Sequence, residues 1–224
     1  TDAGNMYGVI EFFKECKKAN IKPIIGVDFF VAARTRHDRE PRIDNRRTRL
    51  ILLAKDMQGY KNLIKLVTYS HTEGFYYKPR MDRELLAQYK ENLICIMPAM
   101  GGEVSLSLKN KNEDFASQTL SWYKNLFGED FYCEITHHPE IPGHQERMKK
   151  LANLCEKEGV ALMAAHEVYY MSEDDRQARR TLMSISNNVD SEDKMLEDIE
   201  ENFSFWYALN ASTMVSTRSR TRSL

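Results

Sequence analysis

Residues 22–32 read Lys-Pro-Ile-Ile-Gly-Val-Asp-Phe-Phe-Val-Ala, an apolar run of strand length interrupted by one carboxylate, Asp28. A charge inside a buried strand wants a physical reason. Upstream, Met6, Val9, Ile10, Phe13 and Cys16 recur at helical spacing between a Gly4-Asn5 start and a Lys17-Lys18 end that suits the negative pole of a helix. Downstream, the pattern predicts a short strand over 50–54 and a helix over about 59–70 with Leu63, Leu66 and Val67 on one side. A short helix capped by Asp82 runs through Tyr89, and a strand covers 93–97. A helix over 113–127, a strand over 130–135, a helix over 142–158 ended by Gly159, a strand over 160–164 and a helix over 174–185 complete the alternation. Short strands alternating with longer helices predict an α/β fold of βα units around a parallel sheet, open or closed into a barrel. In such folds chemistry gathers at the carboxyl ends of the strands.

The chain has 224 residues, 42% hydrophobic and 29% charged, which suits one large or two small globular domains and excludes disorder throughout or a collagen-like repeat. Its net charge of -1 provides no whole-molecule field, so nucleic acid or an anionic membrane would have to be met by a local patch. The longest uncharged apolar stretches, such as 23–27 and 50–54, fall far short of the roughly 20 residues of a membrane span. No membrane partner is expected. Cys16, Cys95, Cys133 and Cys155 lie far apart without a CxxC pair, the pattern of buried reduced thiols in a cytoplasmic protein. The start, without Met or a signal peptide, reads as that of a piece of a longer protein.

Two segments depart from the alternation. Residues 34–49 hold seven arginines and three acids, which predicts a surface loop with either internal ion pairs or a phosphate-contacting patch. From 188 onward the composition turns acidic, and 207–224 is a Ser/Thr/Arg-rich tail without periodicity, expected to be disordered or non-native.

The polar residues at strand ends are Asp2, Asp28, His137 and His138, and His166 and Glu167. Carboxylates and imidazoles converging from separate strands are the donor set of a hydrolytic metal site. Each also has a plain alternative as turn, loop or helix-start residue. Residues 74–80, Gly-Phe-Tyr-Tyr-Lys-Pro-Arg, could stack a base or form a packed loop. Neither Gly101-Gly102 nor Ser105 and Ser107 sit in a phosphate-loop or nucleophile motif.

Several stretches together carry a resemblance. Thr-Asp-Ala-Gly-Asn-Met-Tyr-Gly (1–8), Ile-Lys-Pro-Ile-Ile-Gly (21–26), Leu-Ile-Leu-Leu-Ala-Lys (50–55), Gly-Tyr-Lys-Asn-Leu (59–63), Glu-Gly-Phe-Tyr-Tyr-Lys-Pro-Arg (73–80) and Phe-Gly-Glu-Asp-Phe-Tyr (127–132) resemble the PHP domain of bacterial DNA polymerase III alpha subunits, in order, over residues 1–187. The resemblance implies a distorted (β/α)7 barrel lacking its first strands, including the HxH ligand motif. It further implies an acidic linker over 188–206 toward a polymerase core. Metal-binding relatives hold up to three ions, and Zn2+ or Mn2+ is implied only if the cleft is active; Mg2+ serves the parent polymerase in a later region of the family.

Position by position, the resemblance leaves few ligands. Asp2 and His138 match family residues, Asp28 replaces a glutamate, and Glu167 an aspartate. Ala3, Arg49 and Tyr169 stand for histidines, and Ala99 for a cysteine. Arg49 is expected to substitute a protein cation for lost metal charge by pairing with Asp2, Asp28 or Glu167. The implied role is a degenerate, metal-poor scaffold within a DNA-directed DNA polymerase, docking a proofreading exonuclease subunit in the replicase holoenzyme. The alternative is an active metal-dependent phosphoesterase or 3′–5′ exonuclease using Asp2, Asp28, His138 and Glu167. Arg46, Arg47, Lys78 and Arg80 are the possible nucleic-acid contacts, with DNA otherwise met through the parent protein.

Overall fold

The computed structural model describes residues 1–139, 141–165 and 168–187. The acidic stretch 188–206, the tail 207–224 and the candidates His166 and Glu167 lie outside the described residues. The described residues divide into two compact units: 1–134 with 150–163, and 135–149 with 164–187.

The first unit is built on β1 (Asp2–Ala3), α1 (Val9–Lys18), β2 (Gly26–Ala32) and β3 (Arg47–Ala54). The expected strand starts at Gly26 rather than Lys22. A Cβ on Gly26 would come within 2.7 Å of the Leu52 carbonyl oxygen, so only glycine admits β3 this closely. Val27, Phe29, Leu50 and Leu52 are fully buried, and the pairs Val27↔Leu52 and Phe29↔Leu50 place them on one face. Helix α1 forms as predicted, but none of its residues is buried, and Ile10, Phe12 and Phe13 stay 56%, 49% and 43% exposed.

The run 34–49 is not wholly a loop. Its last three residues open β3, because the antiparallel ladder continues through Phe30↔Arg49, Val31↔Thr48 and Ala32↔Arg47. The expectation of a parallel sheet is corrected here as well. The loop from β2 to β3 contains no crossover helix, so the two strands meet as a hairpin and run antiparallel. β3 is antiparallel to both its neighbours, whereas β1 with β2, and later β5 with β6, are parallel.

Helix α2 (Met57–Thr72) begins where Asp56 accepts a hydrogen bond from the Gly59 N–H at 2.9 Å, and it buries Leu63 and Leu66. β4 (Arg80–Met81) pairs parallel to β2 through Phe30↔Arg80, turning the end of an expected loop into an edge strand. Asp82 caps α3 (Arg83–Gln88) by accepting from the Leu85 N–H. β5 (Leu93–Met97) follows. Helix α4 (Glu103–Lys109) was not predicted, being too short to display a period. Helix α5 (Glu113–Phe127) matches its expected span and buries Ala116, Leu120 and Tyr123. β6 (Phe131–Ile135), α6 (His144–Lys157) and β7 (Ala161–Ala164) come next. The Gly159 turn, at φ +65°, ends α6 as expected. The sheet order is β1-β2-β3-β5-β6-β7, with β4 also on β2. Since β3 occupies one edge of β2 over its whole length, β1 and β4 share the other.

In the second unit, α7 (Arg176–Asn187) follows a short 3-10 turn at Glu173–Asp175. Its Leu182 and Ile185 are exposed.

Gly59 sits in the first turn of α2, where alanine would ordinarily favour the helix by about 1 kcal/mol. A Cβ there would stand 2.1 Å from the Asn92 carbonyl oxygen, which is backbone and cannot swing aside. Gly59→Ala is therefore expected to destabilise the chain by about 1–3 kcal/mol, read as a lowered urea midpoint at unchanged m value.

Candidate functional site

Strand register decides which candidate residues can meet. The pairs Asp28↔Ile51, Ile51↔Ile96 and Ile96↔Tyr132 run across β2, β3, β5 and β6, so these side chains share one face of the sheet. Arg49 is two residues from Ile51 and Glu134 two from Tyr132, which places both on the face of Asp28. Asp28 and Arg49 are diagonal neighbours on adjacent strands. The Arg49 guanidinium donates to Asp28 Oδ2 from Nε at 2.9 Å and from Nη2 as well. The carboxylate side chain is 10% exposed and the arginine 25%, so the pair is sheltered from water. The Arg49 backbone is also held, its N–H donating to the Gly101 carbonyl at 2.8 Å. Gly101 has φ +73°, and a Cβ there would lie 3.1 Å from Arg49 Cδ. The Gly101-Gly102 stretch thus seats the arginine stem.

Glu134 is a second buried carboxylate on this face, 5% exposed, with Oε2 accepting the Ala99 N–H at 2.9 Å. Sequence reasoning missed it because it looked only beyond strand ends, and Glu134 lies within β6. The alternation Phe131, Cys133 against Tyr132, Glu134 was the signal that could have found it.

Asp2 is exposed, and β1 pairs Asp2↔Val27 and Ala3↔Asp28. The register puts residue 3, an alanine, on the face of Asp28 and turns Asp2 to the opposite face. There Asp2 borders a cavity of about 280 Å3 with Val9, Phe12 and Ile25. Of the partners expected for Arg49, the described residues therefore supply Asp28 and not Asp2, while Glu167 lies outside them. In the second unit His138 is buried, its ring 5.1 Å from that of His144 and nearly perpendicular to it. His144 Nε2 lies 3.0 Å from the Thr136 hydroxyl and 3.1 Å from its carbonyl oxygen. His137 is exposed, and Tyr169 carries the Arg179 guanidinium 3.5 Å from its ring centre.

Among the described residues no three His, Cys, Asp or Glu side chains gather closely enough to hold a metal ion. The donor chemistry agrees: Asp28 already accepts a guanidinium, and a fixed cation offers a divalent ion no lone pair. Cys95, Cys133 and Cys155 are buried; burial alone pushes the Cys95 thiol up, and contact with Cys155 together with burial raises Cys133, so neither is poised as a thiolate. Cys16 is half-buried.

The proposed nucleic-acid contacts separate into two groups. Arg46, Arg47 and Lys78 are exposed, with the Arg47 guanidinium 5.4 Å from the Phe30 ring centre. Arg80 is corrected: it is fully buried, and its guanidinium bonds backbone carbonyls of the 34–44 loop, so it faces no ligand in solvent.

These features define a mixed α/β domain whose polar sheet face carries a carboxylate–guanidinium pair. Residues 1–138 match the PHP domain, and the chain belongs to that family. It is similar to the DNA polymerase III subunit alpha of Borreliella burgdorferi, with 38% identity over 204 residues, 90% of this chain and 18% of that one. Similar relatives of the same description occur in Treponema pallidum, at 37% over 86% of this chain and 17% of the relative, and in Thermus aquaticus, at 34% over 86% and 16%. The chain thus spans less than a fifth of the length of these relatives.

Asp44 is buried in the loop before β3, and its bonds to Arg34 hold its carboxyl below the usual carboxylate range. A lowered folded-state pKa contributes stability that is present above the unfolded value and disappears as pH falls through the folded one. Stability is therefore expected to drop as pH falls below about 4, the ordinary aspartate value. In Asp44→Asn that part of the decline should vanish, with a lower starting stability at pH 7, as read from urea midpoints between pH 7 and pH 2.5.

Proposed function

We propose that this chain is the PHP-domain portion of a bacterial DNA polymerase III alpha subunit, a DNA-directed DNA polymerase of chromosomal replication, and acts there as a scaffold and docking domain rather than as a working phosphoesterase. In this reading the sheet belongs to a distorted (β/α)7 PHP barrel over 1–187, and 188–206 leads toward the polymerase core. The partners are the remainder of the alpha subunit, the proofreading exonuclease subunit and the replicase, in the cytoplasm. Nucleotidyl transfer and its Mg2+ belong to the later part of the parent protein.

The observation that carries the reading is the Asp28–Arg49 pair. It places a permanent positive charge against the carboxylate that a metal centre would need, and the neighbouring position on the same face is Ala3, which has no donor atom. An arginine in that place neutralises the carboxylate and ties β2 to β3 without an ion. The relatives support the larger context, since they align over 83–90% of this chain.

Metal analysis of the intact alpha subunit tests this: Zn, Mn and Fe are each expected well below one per chain, with no phosphoesterase activity. Stoichiometric metal with an activity abolished by His138→Ala would overturn the scaffold reading. On the stability side, Arg49→Met removes the guanidinium from a sheltered carboxylate and is expected to cost about 3 kcal/mol, the lower end for a broken buried pair because Arg49 is a quarter exposed. The urea midpoint of the variant subunit measures it.

A further inference from the structure

The loop joining β2 to β3 is held by a guanidinium from outside itself. Buried Arg80 donates from Nε to the Gly74 carbonyl at 3.0 Å, from Nη1 to Asp44 O at 2.7 Å, and from Nη2 to Asp38 O at 2.9 Å and Arg36 O at 3.2 Å. Two of the loop's arginines are neutralised by carboxylates: Arg34 pairs with Asp44 and Glu40, and Arg36 with Glu73, Asp82 and Glu84. Asp38 accepts from the Thr35 N–H and hydroxyl. Arg39, Arg42, Arg46 and Arg47 are exposed, and no carboxylate among the described residues pairs with them. A stapled loop therefore presents four exposed guanidinium groups that are not engaged in ion pairs among the described residues.

The same staple holds the 74–80 segment beside the loop. The Arg80 guanidinium lies 5.2 Å from the Tyr76 ring centre, and Tyr76 packs edge-on against Tyr77 at 4.7 Å. Tyr77 is 70% exposed and Phe75 51%, and exposed Lys78 follows. Tyr77 and Arg42 both adopt left-handed backbone, at φ +60° and +68°, a conformation that bulky residues hold only where their surroundings impose it.

We propose that Arg39, Arg42, Arg46 and Arg47, with Tyr77 and Lys78, form a binding surface for single-stranded nucleic acid. The guanidinium groups take the phosphates, and the exposed ring of Tyr77 takes a base face. Cations alone would serve a duplex or an acidic peptide equally well. The exposed aromatics favour a strand whose bases are open to stacking, since a duplex hides those faces and a carboxylate-rich peptide has none. The inference stands on this loop alone and does not depend on the scaffold reading.

The test is fluorescence anisotropy of labelled dT20 with the full 224-residue chain across a salt series. With about 0.7 counterions released per phosphate contact on a single strand, four contacts predict a slope of log K against log salt of about -3. Arg39→Gln/Arg42→Gln/Arg46→Gln should weaken binding and reduce the slope to about -1. Tyr77→Ala should weaken binding by at least about fivefold with the slope retained. All the altered side chains are exposed, and an unchanged urea midpoint confirms that folding is intact. The proposal is overturned by undetectable dT20 binding, by a 20-bp duplex or polyglutamate bound as tightly as dT20, or by a Tyr77→Ala chain that binds like the parent.

Discussion

A carboxylate in the middle of an apolar strand either meets a cation or gives up its charge, because the interior cannot solvate it. Asp28 meets Arg49, and much of the first unit follows from the ladder that lets them meet. β2 and β3 must be antiparallel and in the register Phe30↔Arg49 for the two side chains to lie diagonally on one face. That register also sends Val27, Phe29, Leu50 and Leu52 to the opposite, apolar face. A slip of one residue would bury the arginine among those side chains and expose the core. The polar pair and the hydrophobic core are thus two consequences of one pairing.

Arg80 is a second buried guanidinium with a different task. Arg49 neutralises a carboxylate, whereas Arg80 satisfies backbone carbonyls of a loop that has no ladder of its own. Burial lowers its pKa, opposed by the nearby charge of Asp44. A rigid planar fork with five donors can serve several carbonyls at once, which an ammonium on a flexible stem does poorly. The loop's order therefore rests on side chains from outside it, and its remaining arginines are left facing water.

Much of the fold was legible in the residues. Helix α5 and strand β5 fall on their expected spans, and Asp82 and Gly159 act as the cap and stop that their chemistry announces. The errors have particular causes. Periodicity cannot show strand direction, so the antiparallel β3 was missed; three arginine-rich residues looked like loop because a strand half in water tolerates polar side chains that pattern alone assigns to loops. Helix α1 was read correctly from its apolar stripe, yet that stripe has no buried residue. Amphipathicity marks a face that favours a partner and does not supply one.

The candidate site divides in the same way. Residue identities marked Asp28 as anomalous, because a lone carboxylate in a buried strand is visible without coordinates, and the resemblance to the PHP family singled out Arg49 as its potential counter-charge. Only the folded sheet separated Asp2 from that pair, brought Glu134 onto its face and took Arg80 out of solvent. The physical reason is that side-chain facing depends on cross-strand register, and register is settled by contacts between segments far apart in the chain, which no local pattern encodes.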